Sequence, residues 1–222
     1  MVNVGLRKNL RVNFVFLRGL KRFGLLVCVF MCLSTAMLAQ PKPKMPGDQV
    51  RVLIQTELGD FEVEVNAKAA PATVANFLAY VDAGHYDGGR FHRTVKLNPD
   101  NQPNNTVKIE VIQAGVNPER AKSGFDPIKL ERTNATGLLH KSGVISMARA
   151  AADTATSDFF ICIGDQPELD FGGKRNPDGQ GFAAFGKVVK GMDIVKKIQQ
   201  STAEGQSLKP PIKIVTVKRK GS

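Results

Sequence analysis

Three short segments of the sequence hold the residue types needed to grip a neutral, apolar group and polarise it. They are Phe91-His92-Arg93, Val111-Ile112-Gln113-Ala114-Gly115 and Ser157-Asp158-Phe159-Phe160-Ile161-Cys162. An arginine supplies a permanent cation, a glutamine supplies donors and an acceptor, and aromatic rings supply an apolar floor. Such a set suits electrostatic catalysis that needs no covalent intermediate.

Arg93, taken alone, is best interpreted as a solvated arginine on a strand, and the later segments reverse that interpretation. Gln113 lies in an apolar run, where a buried glutamine must be hydrogen-bonded. A network with Arg93 would satisfy it. Phe159 and Phe160 are adjacent, so on a strand one ring faces the core and the other the opposite face. The sequence leaves open whether that opposite face is a second buried layer or a concave apolar site.

Other chemistries have weaker support in the sequence. His92 and His140 have no carboxylate or second histidine at ligand spacing, and no His-Glu-x-x-His motif occurs. Ser146 and Ser157 lack the Gly-x-Ser-x-Gly surroundings of a hydrolase nucleophile. Cys162 lies between two isoleucines, so we expect a buried, inert thiol. We therefore predict no metal, no cofactor and no hydrolase chemistry.

The elements that must position these residues are mostly short strands. Strands are predicted at 50–56, 61–65, 91–95, 107–113, 143–148, 159–163, 182–189 and 212–217. Helices are predicted at 70–83 and 192–200 from apolar stripes at helical spacing. Loops at 96–106 and 164–181 are where function should reside. Many short strands with two helices indicate an all-β barrel capped by the helices.

Charge is distributed unevenly along the chain. The 222 residues suffice for one domain with a short extension. The formal net charge is +11, but residues 1–39 contain six basic residues and no acidic one. The remaining 25 basic and 20 acidic residues leave +5, an ordinary solvated surface. We therefore expect no nucleic-acid partner.

Residues 1–39 have the pattern of a secretory signal peptide. A basic stretch runs to Arg22, an apolar stretch follows, and small residues stand at Ser34, Ala36 and Ala39. The apolar run is shorter than the roughly 20 residues that normally span a bilayer. We expect cleavage after Ala36 or Ala39 rather than retention as an anchor.

The expected mature protein starts with a Pro/Lys-rich linker that ends at residue 48, followed by one domain over 49–219. Cys28 and Cys32 would leave with the signal, so Cys162 alone remains and no intrachain disulfide can form. We predict a periplasmic or secreted monomer. It would contact a membrane only through an uncleaved N-terminal segment.

Several motifs in the same order resemble the cyclophilin family of peptidyl-prolyl cis/trans isomerases, over residues 50–218. They are Phe91-His92-Arg93, Gln113-Ala114-Gly115, Gly143-Val144-Ile145-Ser146-Met147-Ala148, Ser157-Asp158-Phe159-Phe160-Ile161, Leu169-Asp170, and Phe185-Gly186-Lys187-Val188 followed by Gly191-Met192. The resemblance implies a closed eight-stranded antiparallel barrel with a helix at each end, in a bacterial, exported member of the family.

The resemblance also implies an activity and its residues. Arg93 matches the catalytic arginine of the family, and Gln113 matches the glutamine that supports it and contacts substrate. The activity would be isomerisation of X-Pro bonds in exported, folding polypeptides, without a cofactor. The rival is a non-catalytic proline-peptide-binding or chaperone module on the same barrel.

A set of further residues is expected to bind substrate. The set is Val111, Met147, Ala148, Phe160, Leu169 and Phe182. By resemblance, Val111, Phe160 and Leu169 form the walls of the proline pocket, and the Ala148 backbone pairs with the bound peptide.

The chain departs from the usual family pattern near this pocket. Glu110 stands where phenylalanine is usual, which predicts a more open or polar pocket. Asp158 replaces a common glutamine, and Arg149 a common asparagine. Glu168 and Phe182 replace the tryptophan and histidine of animal members, so tight binding of cyclosporin is not expected.

The 96–106 loop lengthens the interval between Arg93 and Gln113 beyond that typical of the family. Because it leaves a strand just after one of these residues and returns just before the other, we expect it at the rim of the site. There it would modify substrate choice without taking part in the chemistry.

Overall fold

The computed structural model describes residues 48–221, so the predicted signal segment and all but the last residue of the predicted linker lie outside the described residues. Within that range the strands are β1 Gln49–Thr56, β2 Gly59–Asn66, β3 Arg90–Val95, β4 Val111–Gly115, β5 Val144–Met147, β6 Phe159–Cys162, β7 Ala183–Lys190, β8 Ala203–Glu204 and β9 Ser207–Arg219. The helices are α1 Pro71–Asp82, α2 Thr133–Thr136 and α3 Met192–Gln200, with 3₁₀ turns at Pro118–Ser123 and Pro167–Leu169. None of the helices in residues 48–221 is long and apolar enough to cross a membrane.

Eight of these strands close into an antiparallel barrel. The order is β1-β2-β7-β5-β6-β4-β3-β9, and β9 pairs back with β1. The two-residue strand β8 pairs with β9 alone in the described part of the chain. Closure pairs the strand edges that an open sheet would leave exposed. The predicted closed eight-stranded barrel is confirmed.

Two strand starts differ from the sequence prediction by more than two residues. Residues 107–110 are not a strand, because the Gln102 side chain takes the hydrogen bonds a neighbouring strand would supply: its Nε2 donates to Ile109 O at 2.7 Å and its Oε1 accepts from Ile109 N at 3.1 Å. β9 begins at Ser207, five residues before the predicted strand at 212. Pro210 and Pro211 interrupt the strand pattern in the sequence, so this earlier start was not predicted. Proline removes a ladder donor and so weakens the strand signal.

The two predicted helices form where their apolar stripes can be buried. Pro71 occupies the first turn of α1, a position where its missing N–H costs no hydrogen bond. Two of the free N–H groups there, those of Ala72 and Thr73, donate to the Glu131 carboxylate at 3.1 and 2.8 Å. In α3, Val195 and Ile198 are fully buried. α2 is a single turn that the sequence analysis did not predict.

Side chains alternate between two hydrophobic clusters across β4 and β6. The inner cluster fills the barrel and includes Ile112 and Phe159. The outer cluster lies on the opposite face and consists of Val95, Ile109, Val111, Phe160, Cys162 and Leu169, with Ala148 and Phe182 packed against it. Adjacent strand residues therefore serve different layers. The outer cluster forms the base of the candidate site.

Candidate active site

Arg93 is held by two side-chain amides. Its Nη1 donates to Gln113 Oε1 at 3.0 Å, and its Nε and Nη2 donate to Gln206 Oε1 at 2.9 and 2.6 Å. The antiparallel register of β3 and β4 sets Arg93 opposite Gln113, and directly opposed residues share a face of the sheet. The hydrogen bond between Arg93 and Gln113 that the sequence predicted is present.

Gln206 is a site residue that sequence reasoning missed. It lies in the turn between β8 and β9, 113 residues after Arg93. A lone glutamine in a turn has no pattern that separates it from a solvated polar residue. Its Nε2 donates to Asn101 O at 3.2 Å, and Asn101 Nδ2 in turn donates to Gly205 O at 2.9 Å. The inserted 96–106 loop therefore supports the residue that holds the arginine.

Asp158 fixes the orientation of the Gln113 amide. Gln113 Nε2 donates to Asp158 Oδ2 at 3.2 Å, and His92 Nε2 lies 3.7 Å from the same oxygen. An ionised carboxylate can only accept, so the amide nitrogen must face Asp158. The amide oxygen is then left to accept from Arg93.

A cavity of about 590 Å³ opens beside Arg93 and Gln113. It is lined by all but one of the predicted substrate-binding residues: Val111, Ala148, Phe160, Leu169 and Phe182. Its apolar base is the outer cluster, in which the rings of Phe160 and Phe182 meet edge to face at 5.3 Å between centroids. Asn105, from the inserted loop, also lines the cavity, so this loop reaches the rim as expected.

Met147 is the predicted substrate-binding residue that lies elsewhere. Its side chain is buried in the inner cluster. The alternation of β5 turns Met147 inward, while Ala148, the next residue, packs against the outer cluster. Of this pair only Ala148 lines the cavity, so the structure does not bring the Met147 side chain to the site and that assignment is corrected.

The Glu110 side chain does not add polarity to the pocket, so that part of the expectation was wrong. Its Oε1 accepts from Leu97 N at 3.3 Å and from Gln199 Nε2 at 3.1 Å, and it is not among the residues that line the cavity. The preceding residue, Ile109, is buried in the outer cluster and lines the cavity instead. Because Gln102 holds both backbone groups of Ile109, the apolar side chain is fixed there.

Arg149 supports the wall of the cavity that Phe182 forms. Its guanidinium carbon lies 5.0 Å from the centroid of the Phe182 ring, a cation–π contact. The same group donates to both carboxylate oxygens of Asp178 at 2.7 and 3.0 Å and to Gly181 O at 2.6 and 2.8 Å. The hydrogen bond from Arg149 lowers the pKa of Asp178 to about 2. The positive charge of Arg149 is thus neutralised within the protein.

His140 has a carboxylate partner that the sequence analysis did not find. Its Nδ1 lies 2.7 Å from Asp170 Oδ1 and its Nε2 lies 2.9 Å from Ser146 Oγ, so the three side chains form a Ser-His-Asp hydrogen-bonded chain. The partner is 30 residues away along the sequence, so local spacing could not reveal it. The imidazole stacks on Phe160 with centroids 5.9 Å apart. Ser146 is fully buried, so its hydroxyl supports the ring from behind rather than meeting a substrate.

The thiol of Cys162 is buried in the outer cluster, as predicted. Burial raises the pKa of this thiol far above its ordinary value, which suppresses the nucleophilic thiolate. No group of three or more His, Cys, Asp and Glu side chains within residues 48–221 could hold a metal ion.

Comparisons with known proteins agree with this geometry. A family model described as cyclophilin type peptidyl-prolyl cis-trans isomerase/CLD matches residues 51–219. The chain is 38% identical over 154 residues to peptidyl-prolyl cis-trans isomerase A of Dickeya dadantii (strain 3937), covering 69% of this chain and 73% of that protein. It is 36% identical over 158 residues to peptidyl-prolyl cis-trans isomerase B of Escherichia coli (strain K12), covering 70% and 87%. The fold resembles the crystal structure of a cyclophilin type isomerase of Cryptosporidium parvum, with a TM-score of 0.62 and 22% identity over 78% of this chain and 99% of that one.

The chain therefore belongs to the family of cyclophilin-type peptidyl-prolyl cis-trans isomerases. Its enzyme class is EC 5.2.1.8, as the sequence resemblance implied.

Proposed function

We propose that Arg93 and the outer cluster catalyse rotation about X-Pro bonds in exported, folding polypeptides. The observation that carries this proposal is a guanidinium held by two amides at the side of an apolar pocket. The proline ring would occupy the pocket formed by Val111, Phe160 and Leu169. A related structure from Cryptosporidium parvum, 23% identical with a TM-score of 0.61, was obtained in the presence of the dipeptide Ala-Pro, which supports a proline-binding site on this fold.

The chemical problem is the loss of amide resonance. The barrier to rotation is about 18–20 kcal/mol because the C–N bond has partial double-bond character. In the twisted state the proline nitrogen regains a lone pair and the carbonyl oxygen loses negative charge. An enzyme accelerates rotation by binding this twisted state more tightly than either planar isomer. A hydrogen-bond donor directed at the nitrogen provides that difference.

Arg93 has donors to spare for this role. Of the five N–H groups of a guanidinium, three are taken by Gln113 and Gln206. One N–H on Nη1 and one on Nη2 have no acceptor among residues 48–221. Both lie on a group whose orientation is already fixed, so little side-chain entropy is lost on binding. The half-buried position strengthens the interaction, because a donor acts more strongly in a partly desolvated site.

Catalysis is tested by NMR exchange between the cis and trans forms of Ala-Ala-Pro-Phe, with the purified protein. We expect acceleration by the wild type and a loss of roughly 10²–10³ in kcat/KM for Arg93→Ala, the usual effect of removing one preorganised donor. Arg90→Ala is the matched control, since Arg90 is an exposed arginine on the same strand and does not line the cavity. Near-wild-type activity in folded Arg93→Ala would remove Arg93 from the mechanism.

The same measurement separates the two competing functions. A binding module would shift peptide resonances without accelerating exchange, in the wild type as in Arg93→Ala. Hydrolysis would need access to the Ser-His-Asp chain, and Ser146 is fully buried behind Phe160. No peptide carbonyl can reach that hydroxyl in this conformation.

The exported location is part of the proposal. It rests on the basic, apolar and small-residue pattern of residues 1–39. N-terminal sequencing of the protein recovered from its native host should find Met37 or Gln40 at the start, outside the cytoplasm. An intact N-terminus in the membrane fraction would indicate the anchored alternative, and a cytoplasmic intact chain would overturn the export proposal.

A further inference from the structure

The cavity beside Arg93 carries more positive charge than its neutral proline ligand requires. Its lining includes the guanidinium groups of Arg93, Arg149 and Arg175 and a single carboxylate, that of Asp158. Arg149 is paired with Asp178 outside the lining, and Asp158 is engaged by Gln113. Neither Arg93 nor Arg175 lies within salt-bridge distance of an acidic group in the described part of the chain.

Arg175 belongs to the long loop between β6 and β7, and only one of its three guanidinium nitrogens donates a hydrogen bond within residues 48–221. Nη1 donates to Gln102 Oε1 at 3.3 Å and to Val107 O at 2.5 Å. These two bonds form a clasp between its loop and residues 102–107. Nε and Nη2 have no acceptor among residues 48–221, so most of the donor capacity of this half-buried group remains for a ligand.

The charge of Arg175 also acts on Arg93. Burial first, and then the positive charge of Arg175, lowers the pKa of Arg93, and burial lowers the pKa of Arg175. Partly desolvated like charges without a counter-ion are unfavourable. A carboxylate on the ligand would relieve this repulsion, whereas a lysine on the ligand would add to it.

We propose that Arg175 is a specificity-determining residue through which the site favours substrates with an acidic side chain adjacent to the proline. This inference rests on the proposed isomerase function of the same site. Arg175 would bind the carboxylate through Nε and Nη2, while Arg93 remains free to act on the prolyl bond.

The experiment measures kcat/KM by NMR exchange for peptides that carry Glu, Gln or Lys immediately before proline. A second series carries them immediately after proline. In at least one series we expect Glu to exceed Gln, and Gln to exceed Lys, by about fivefold, the factor that corresponds to roughly 1 kcal/mol for a partly exposed ion pair. The preference should shrink as the salt concentration rises.

Three variants distinguish a specificity role from the clasp alone. Arg175→Gln replaces the cation with a neutral amide and should lower the Glu-to-Gln rate ratio from about five to about one. Arg175→Lys should keep much of the preference. Arg90→Gln, which removes the same charge from an exposed position on β3, should leave all ratios unchanged.

The outcomes that overturn the inference are distinct from failure of the proposed function. Equal rates on Glu, Gln and Lys peptides in the wild type, at both positions, would refute the preference. If Arg175→Gln lowered kcat/KM by the same factor on all peptides, Arg175 would only hold the two loops together and would not determine specificity. If no peptide is isomerised, the proposed function fails, and dissociation constants of the same peptides still test the preference. If Arg175→Gln does not fold, the wild-type ratios and their salt dependence decide.

Discussion

The inner and outer faces of β4 and β6 are built from the same strands but serve different purposes. On the inner face, Phe159 packs among the rings of Phe77, Tyr86 and Phe91 at 5.5–6.0 Å. On the outer face, Phe160 meets only His140 and Phe182 among aromatic groups in the described residues, and it lines a cavity. The inner face is closed by the barrel itself, whereas the outer face is completed by loops.

This difference shows how the fold separates stability from binding. The inner cluster is enclosed on all sides, so its contacts act mainly on the free energy of unfolding. The outer cluster is a small apolar surface whose walls come from residues 102–109 and 164–182. Its packing leaves room for a ligand, so changes there should affect turnover more than folding.

The largest effect is expected on the inner face. Phe159→Ala should destabilise the protein by roughly 3–5 kcal/mol, because it leaves a cavity in an enclosed core. Urea or thermal unfolding followed by circular dichroism measures this loss. The matched control is Phe159→Leu, which should cost clearly less. A loss below about 1 kcal/mol for Phe159→Ala would show that the inner face is not the stabilising layer.

The adjacent ring should respond in the opposite way. Phe160→Ala should lower kcat/KM by about tenfold or more, equivalent to roughly 1.4 kcal/mol of transition-state binding. Its stability loss should be at or below the low end of the roughly 3–5 kcal/mol range, since water from the pocket can fill the gap. Exchange NMR and urea unfolding on the same samples give both quantities. If Phe159→Ala and Phe160→Ala lose stability and activity in the same proportion, the two faces are not distinct.

The same contrast explains what the sequence could predict. Arg93, Gln113 and Phe160 were identified because their ordered motifs resemble those of the cyclophilin family. Strand alternation added that Phe159 and Phe160 face opposite sides of the sheet. Ile109, Arg175 and Gln206 were missed because loops bring them to the site, and no periodicity governs which loop residue turns inward.

Contacts between distant segments were equally hard to predict. The His140–Asp170 pair spans 30 residues, and the Arg93–Gln206 pair spans 113. The barrel and its two helices could be predicted from patterns within each segment, because strand and helix periodicity is local. The 107–110 segment could not, since the side chain of Gln102 replaces a neighbouring strand there. The hydrogen bonds from Gln102 to the Ile109 backbone therefore decide that Ile109, and not Glu110, faces the pocket.

Gln206 should act as a positioning residue for Arg93. Gln206→Ala removes the acceptor of two guanidinium N–H groups, and we expect kcat to fall by about tenfold with a stability loss of about 1 kcal/mol. Gln206→Glu keeps the acceptor for Arg93 but loses the donor to Asn101 O, so it should restore only part of the rate. In the Arg93→Ala background Gln206→Ala should change little, because coupled residues are not additive. An equal loss in both backgrounds would show that Gln206 acts independently of Arg93.

The smallest effect concerns the ion pair that supports the Phe182 wall. The Arg149 hydrogen bond holds the pKa of Asp178 at about 2, below the ordinary value of 3.8. A depressed carboxyl pKa stabilises the fold above the unfolded pKa, and that stabilisation is lost as pH falls from about 4 through 2. The wild type should therefore lose thermal stability more steeply over that window than Asp178→Asn, in which the titrating group is absent. Asp178 is exposed, so the difference in Tm should be small.

Because the pair belongs to the outer face, NMR signals of Phe182 should change before those of Phe159 as the pH is lowered. The two faces would not be separate if the wild type and Asp178→Asn lost thermal stability in parallel as the pH fell. The same would follow if the NMR signals of Phe182 and Phe159 changed at the same pH.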